Sequence, residues 1–535
     1  MDYLKIGKAT ELFGRDKKMY RLLEILPGFL SLGTLLVLLV GAYFKPVWVA
    51  YFVIAFDVYW LLLVLYLGIY LFFSFRKLKK NEKINWRKRC EELVNIPICS
   101  TDSDYTSSQE GKGPGCLATN GLKWEDIVHL IIFPTYNEGL EVIRPSFKAL
   151  VEDDYPTDKM IVVLAIEGRA GEEARKRAEA IKEEFGYKFK NFLITVHPEI
   201  SGELKGKGAN QAWAGKKVKE EIVDREKIDY DKILVSIFDI DTVIKPGYFF
   251  CLTYKFLTVA NPYRASYQPV PVYHNNIWQS SFFARVAASS NTFWQMMQQM
   301  RQEKLATYSS HSMTWRALVD IDFWSTTMVS EDSRIFWHCL LYYNGDYRVE
   351  PLNFPVSMDV TMDQTVWQTA MSLYKQQRRW GWGVENIPYL IFNTIKKWRE
   401  APKKKMLGRI FVQIYGFHSW ATNALVIAVI GWMPMILGGD RFNSTVLSGN
   451  LPFITRTLMT CAMVGLVFSA VVSTLLLPAR PPKYGWHKNI MMVLQWLVLP
   501  FTIIAFGSIP GIEAQTRLML GKYMGFFVTP KSRGN

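Results

Sequence analysis

Apolar residues follow two different patterns along this chain. Residues 29 to 44 and 47 to 73 form nearly uncharged runs, and similar runs lie near 410 to 437, 453 to 477 and 489 to 509. Each is long enough, with some tilt, to cross a hydrocarbon layer of roughly 30 Å, whereas a soluble helix rarely stays apolar on every face for that length. Between the two groups the pattern shortens. Apolar runs at 128 to 133, 160 to 166, 192 to 196 and 233 to 238 alternate with helical periodicity over 140 to 152, 171 to 185 and 208 to 224. That alternation predicts a mostly parallel sheet with helices on both faces.

Past Phe238 the alternation becomes irregular. Residues 278 to 305 predict a long, partly amphipathic helix rich in aromatic residues and Met, read as packing, and 363 to 400 predicts aromatic helices at headgroup level. The polar stretch from 95 to 121 has no apolar period and reads as a linker. The expected organisation is therefore two spans within 1–80, a linker over 81–123, an α/β domain over 124–385 and interfacial helices over 386–409. About three spans over 410–509 and a basic tail over 510–535 follow.

Charge orients this arrangement. Lys5, Lys8, Arg15, Lys17, Lys18 and Arg21 precede the first run, and eight Lys and Arg residues between 76 and 89 follow the second, with Lys45 alone between them. The positive-inside rule places the α/β domain in the cytoplasm of a cell (inner) membrane protein. No small-residue cleavage site precedes Pro27, so the first run is expected to remain as an anchor. Five spans would leave the tail outside, yet Arg517, Lys522, Lys531 and Arg533 argue for inside. One span is then re-entrant or interfacial, or the count is off by one. The net charge of +15 clusters beside the spans, which fits anionic lipid better than nucleic acid. Six cysteines form no CxxC pair and suit reduced thiols.

In a parallel sheet, ligands bind beyond the carboxyl ends of the strands. Pro134, Thr135, Tyr136, Asn137 and Glu138 follow the first expected strand, Glu167 the second, and Asp239, Ile240 and Asp241 the fourth. Asp239 and Asp241 point to one side of an extended strand end and can share a Mg²⁺ or Mn²⁺ ion; strand-end aspartates also serve as turn and helix caps. Lys207 stands in a Gly-rich turn entering a helix, equally a phosphate contact or a solvated basic turn. Ser330, Glu331 and Asp332 read as a Ser cap with acids at a helix start, or as carrying a general base in Asp332. Gln376, Arg379 and Trp380 share a helix face that offers phosphate pairing and a flat stacking surface, or anchors the helix at the membrane.

The ordered set PTYNE, Glu167, GKGANQAWAG, DID, SED and QQRRW, flanked by spans, resembles the membrane-integrated family 2 glycosyltransferases and is similar to cellulose, chitin and hyaluronan synthases. The resemblance implies an α/β GT-A fold (Rossmann-like, mostly parallel sheet) in a cytoplasmic domain inserted between α-helical transmembrane segments. It also implies inverting transfer from a nucleotide-sugar donor, UDP-sugar favoured, to a glycan or lipid-linked acceptor. It assigns donor binding to Thr135, Tyr136, Glu138, Glu167, Lys207, Asp239, Gln376 and Arg379, metal to Asp239 and Asp241, the base to Asp332, and acceptor contact to Trp380 and His311, although His311 by itself reads first as a core histidine. Glu167 departs from the family's usual Asp, and Ser330 from its commoner Thr. The competing expectation is a transporter or scaffold with a non-catalytic nucleotide-binding domain; against it, the spans carry few ionisable residues beyond Asp57.

Overall fold

The computed structural model describes residues 3–93, 121–531 and 533. The expected linker between 95 and 120, with Cys99 and Cys116, lies outside the described residues.

The Val/Ile-rich runs form strands β1 (Val128–Thr135), β2 (Met160–Glu167), β3 (Asn191–His197) and β4 (Ile233–Ile237). These four pair in parallel, in the order β3, β2, β1, β4. β2 is buried along its whole length, as continuous apolar strands covered on both faces are. The faces alternate residue by residue. Leu130, Ile132, Ile161, Val163, Val235 and Ile237 enter one core cluster, while Ile131, Phe133, Val162, Leu164, Ile166 and Leu234 enter the other. Helices Leu140–Val151, Gly171–Phe185 and Lys207–Val218 fill the connections where periodicity placed them.

The second half of the sheet departs from the expected parallel order. β5 (Val243–Ile244), β6 (Ala265–Val272), β7 (His311–Thr314) and β8 (Arg348–Ser357) extend it as β4, β7, β6, β8, β5. Here β7 runs antiparallel to both β4 and β6, and β5 antiparallel to β8. The sheet is therefore mixed. Irregular spacing beyond Phe238 hid this, because His311–Thr314 is only four residues long and carries no readable alternation.

Apolar helices flank the domain on both sides in sequence. Gly14–Phe44, Pro46–Asn81, Val446–Leu476 and His487–Met519 are each long and apolar enough to cross a membrane, and Lys403–Ala428 with Ile430–Leu437 forms a fifth candidate bent by 41°. Their contacts differ. The bent pair runs to the turn between the first two helices, where a Cβ on Gly438 would lie 2.9 Å from Pro46. His487–Met519 is held near its two ends by the α/β domain and by Gly14–Phe44. Tyr484, just before it, stacks on Trp278; Glu513 accepts from Arg378 at 2.6 Å; and the Leu518 carbonyl accepts from Arg21 at 2.8 Å.

Candidate functional site

The carboxyl ends of β1, β2 and β4 open on a cavity of about 700 Å³. Thr135, Tyr136, Glu138, Glu167, Lys207, Asp239, Asp241, Asp332, Gln376, Arg379 and Trp380 all line it. From this floor the cavity continues between the apolar helices, past Trp60 and Leu63 on one side and Tyr415, Ser419, Trp420, Asn423 and Thr502 on the other.

Lys207 sits at the centre of the floor. As the first residue of Lys207–Val218 it extends from a helix amino end, and its ammonium lies 2.7 Å from Asp239 Oδ1 and 2.8 Å from Asp332 Oδ1. Burial works against its charge, but Asp239 and Asp332 overcome that and raise its pKa. Asp239 shows the reciprocal effect: burial opposes ionisation, yet Lys207 and then Lys531 hold its carboxyl well below the usual range. One cation thus ties the strand-end aspartate to the aspartate at the start of the Glu331–Tyr342 helix. Asn210 fixes the Lys207–Val218 helix to β2 by donating to the Ala165 carbonyl at 2.8 Å.

Asp241 is held from several sides. Its Oδ1 accepts from Lys531 Nζ at 2.5 Å, its Oδ2 from the Asp359 backbone N–H at 2.9 Å, and its carbonyl from Asn275 Nδ2 at 2.8 Å. Asp359 lies just past β8, and Arg533 donates to it at 2.8 Å. Burial and the neighbouring Asp241 charge raise the Asp359 carboxyl. Asp359, Lys531 and Arg533 were not singled out as site residues from sequence. Asp359 follows an apolar run, the signal that found Asp239, but Lys531 and Arg533 looked like ordinary tail charges. The tail reaches them through a close approach: a Cβ on Gly206 would lie 2.7 Å from the Phe526 ring, and the Arg379 guanidinium lies 4.8 Å from the centroid of that ring.

In the PTYNE turn, Glu138 Oε2 accepts from Thr135 Oγ1 and from the Tyr136 N–H, both at 2.8 Å, so Glu138 shapes the loop that presents Tyr136. Glu167 pairs with Arg169, whose guanidinium lies 4.4 Å from the centroid of the Tyr136 ring. The pair forms a flat cationic wall at the end of β2. Ser330 does not cap the helix after it; its hydroxyl donates to Glu385 Oε1 at 2.5 Å. Glu331 is buried, neither of its carboxylate oxygens has a partner among the described residues, and burial with the adjacent Asp332 charge pushes it up to about 8. Gln376 accepts from Thr361 at 2.7 Å, and Arg379 Nε is buried without a partner among the described residues. His311 is placed apart from the others. It lies within β7, fully buried, with Nδ1 against the Tyr308 carbonyl at 2.8 Å, and does not line the cavity.

The donor set suits a divalent cation. Asp239 and Asp241 lie past the end of β4, in a turn closed by the Thr242 N–H on the Asp239 carbonyl rather than on an extended strand; both offer hard carboxylate oxygens, and the ammonium groups of Lys207 and Lys531 rest on those oxygens as cations.

No family model matches this chain, and no curated protein does. Among solved structures it is similar to a mannosyltransferase from Pyrobaculum calidifontis in complex with GDP-Man and Mn²⁺, at 13% identity over 76% of this chain and 98% of that one, with a TM-score of 0.39. It is also similar to TarS of S. aureus, at 12% identity over 65% of this chain and 55% of that one, TM-score 0.34. A 1–349 form of TarS with UDP-GlcNAc matches at 12% over 65% and 91%, TM-score 0.34. With TM-scores this low, the residues of the cavity carry the functional reading.

Proposed function

We propose that this protein is a membrane-integrated inverting glycosyltransferase of GT-A type and family 2, which moves a sugar from a nucleotide-sugar donor to a glycan or lipid-linked acceptor. The observation that carries the reading is Lys207, held between Asp239 and Asp332 on the floor of a cavity that continues between apolar helices. A charged catalytic floor and an amphiphilic exit in one space suit an acceptor that meets the enzyme at a membrane.

In this reading, Tyr136 and the Glu167 and Arg169 wall hold the base, with UDP-sugars the favoured donors, and Glu138 with Thr135 keeps the loop in shape. Asp239 and Asp241 would hold Mg²⁺ or Mn²⁺, which would supply charge neutralisation to the diphosphate when bound. Asp332 takes the proton from the acceptor hydroxyl while that oxygen forms its bond to the anomeric carbon from the face opposite the leaving group. The carbon–oxygen bond to the diphosphate breaks, its electron pair stays with the nucleoside diphosphate, and the configuration inverts. Lys207 and Arg379 meet the developing negative charge. Trp380 offers its ring to the acceptor sugar. Buried in β7, His311 acts at most through Asp332, whose charge reaches it.

The spans fit four crossings, with Lys403–Leu437 crossing to the Pro46 turn and His487–Met519 remaining at the inner face. The tail then returns to the cytoplasmic side, where Lys531 meets Asp241. An even count removes the conflict between five spans and a basic tail.

The test is release of nucleoside diphosphate from UDP- and GDP-sugars by the purified protein with Mg²⁺ or Mn²⁺. Asp332→Asn is expected to lower transfer about 10²- to 10⁴-fold with little change in donor affinity. Near-normal transfer by that variant would remove Asp332 as the base.

A further inference from the structure

Away from the cavity, the start of the Phe282–Gln299 helix holds a buried cation with no counter-charge. Arg285 is 2% exposed. Its Nε donates to Gln495 Oε1 at 2.6 Å and its Nη1 to the Ser280 carbonyl at 2.5 Å, both neutral acceptors. Among the described residues Nη2 has no acceptor and no carboxylate acts on the group; the Tyr484 hydroxyl is the one titratable neighbour that favours its charge. The next cation makes the imbalance larger, since Lys488 lies within electrostatic reach of Arg285. A buried guanidinium with only neutral partners costs several kcal/mol in general, unless an anion completes the site.

Among the described residues, two further buried donors in the same region have no partner. The Trp278 indole, 6% exposed, has Nε1 buried without an acceptor, and its ring stacks on Tyr484, the same residue that neighbours Arg285. Ser281 is the N-cap of the helix, makes no side-chain cap bond, and its hydroxyl is buried without a partner. Ser281 and Arg285 are four residues apart and so share a helix face. The helix of 18 residues adds the positive end of its dipole. Exposed aromatic residues adjoin this group along the chain: Phe282 follows Ser281 and is 46% exposed, and Trp486 follows Tyr484 by two residues and is 70% exposed. Arg480 is also exposed.

We propose that Arg285, Trp278 Nε1, Ser281 Oγ and Lys488 form a phosphate-group site, and that its occupant is the headgroup of an anionic membrane phospholipid. Charge complementarity names an anion. The adjoining aromatic and basic residues name the source, because exposed Trp and Phe beside Arg and Lys are the side chains that settle at a lipid interface. The site lies where Gln495, at the start of the segment His487–Met519, meets the α/β domain, so a bound headgroup pins the domain to the membrane face.

The test is the thermal unfolding midpoint of the full-length protein in detergent with phosphatidylglycerol, phosphatidylcholine or inorganic phosphate added. Phosphatidylglycerol is expected to raise it by about 3 °C and phosphatidylcholine to leave it unchanged. Trp278→Phe, which keeps the stacked ring and removes one donor, is expected to lose at least half of that shift, and Arg285→Gln all of it. An equal shift from phosphatidylcholine, or a full shift in both variants, overturns the site. A full shift from inorganic phosphate alone keeps the phosphate contacts and overturns the lipid as their source.

Discussion

Lys207 and Arg285 are both buried cations near helix amino ends, and the chain surrounds them in opposite ways. Lys207 is 11% exposed and lies against two carboxylates, so its charge is compensated within the fold and fixed in place. Arg285 is 2% exposed and meets a side-chain amide and a carbonyl. The first arrangement is what a preorganised reaction centre requires, with charges set before substrate arrives. The second is incomplete without something from outside the chain. Burial alone therefore says little about the role of a charged residue; the identity of its partners separates the two.

The contrast breaks most visibly if the partners are removed one side at a time. Lys207→Met leaves Asp239 and Asp332 close together without their cation, and is expected to cost about 3 to 5 kcal/mol in denaturant unfolding of the purified protein. Arg285→Gln in lipid-free detergent is expected to cost about 1 kcal/mol or less, since the two hydrogen bonds lost are offset by removing an unpaired buried charge. Equal losses in the two variants would erase the distinction. A pH-dependent effect concerns Glu331, next to Asp332. Its carboxyl keeps its proton up to about 8 when folded, against an ordinary value of 4.5. Between those values the unfolded chain has released a proton that the folded chain retains, so this group lowers stability as pH rises across the window. Glu331→Gln is expected to flatten the dependence there by at most about 1.4 kcal/mol per pH unit, and to match the wild type at pH 4. A parallel dependence in both proteins would show that Glu331 ionises normally.

Much of the site's placement was legible from strand-end logic. PTYNE, Glu167 and DID follow the first, second and fourth apolar runs, and the structure brings all three to one cavity that Lys207, in contact with Asp239, and Gln376, Arg379 and Trp380 also line. Glu138 illustrates the limit of that logic: its position was readable, but its bonds to Thr135 and the Tyr136 N–H make it a loop-shaping residue first. His311 illustrates a different limit. A short antiparallel strand carries no periodic signature, so the expected acceptor-side loop is a buried strand paired with β4. Arg169 carries no motif of its own in the sequence; its role rests on the ion pair it makes back to Glu167.

What the sequence determined by itself is periodic and local: the apolar runs long enough for a membrane, the alternation that makes β1 to β4 a parallel sheet, and the residues left at the strand ends. Those follow from backbone geometry, which repeats every two or 3.6 residues and needs no distant partner. Only the tertiary structure decided what meets across the chain. Lys531 reaches Asp241 over 290 positions, and Gln495 meets Arg285 over 210. Such contacts depend on how separate elements dock, and no spacing rule carries that information, because a paired and an unpaired buried cation look the same in one dimension.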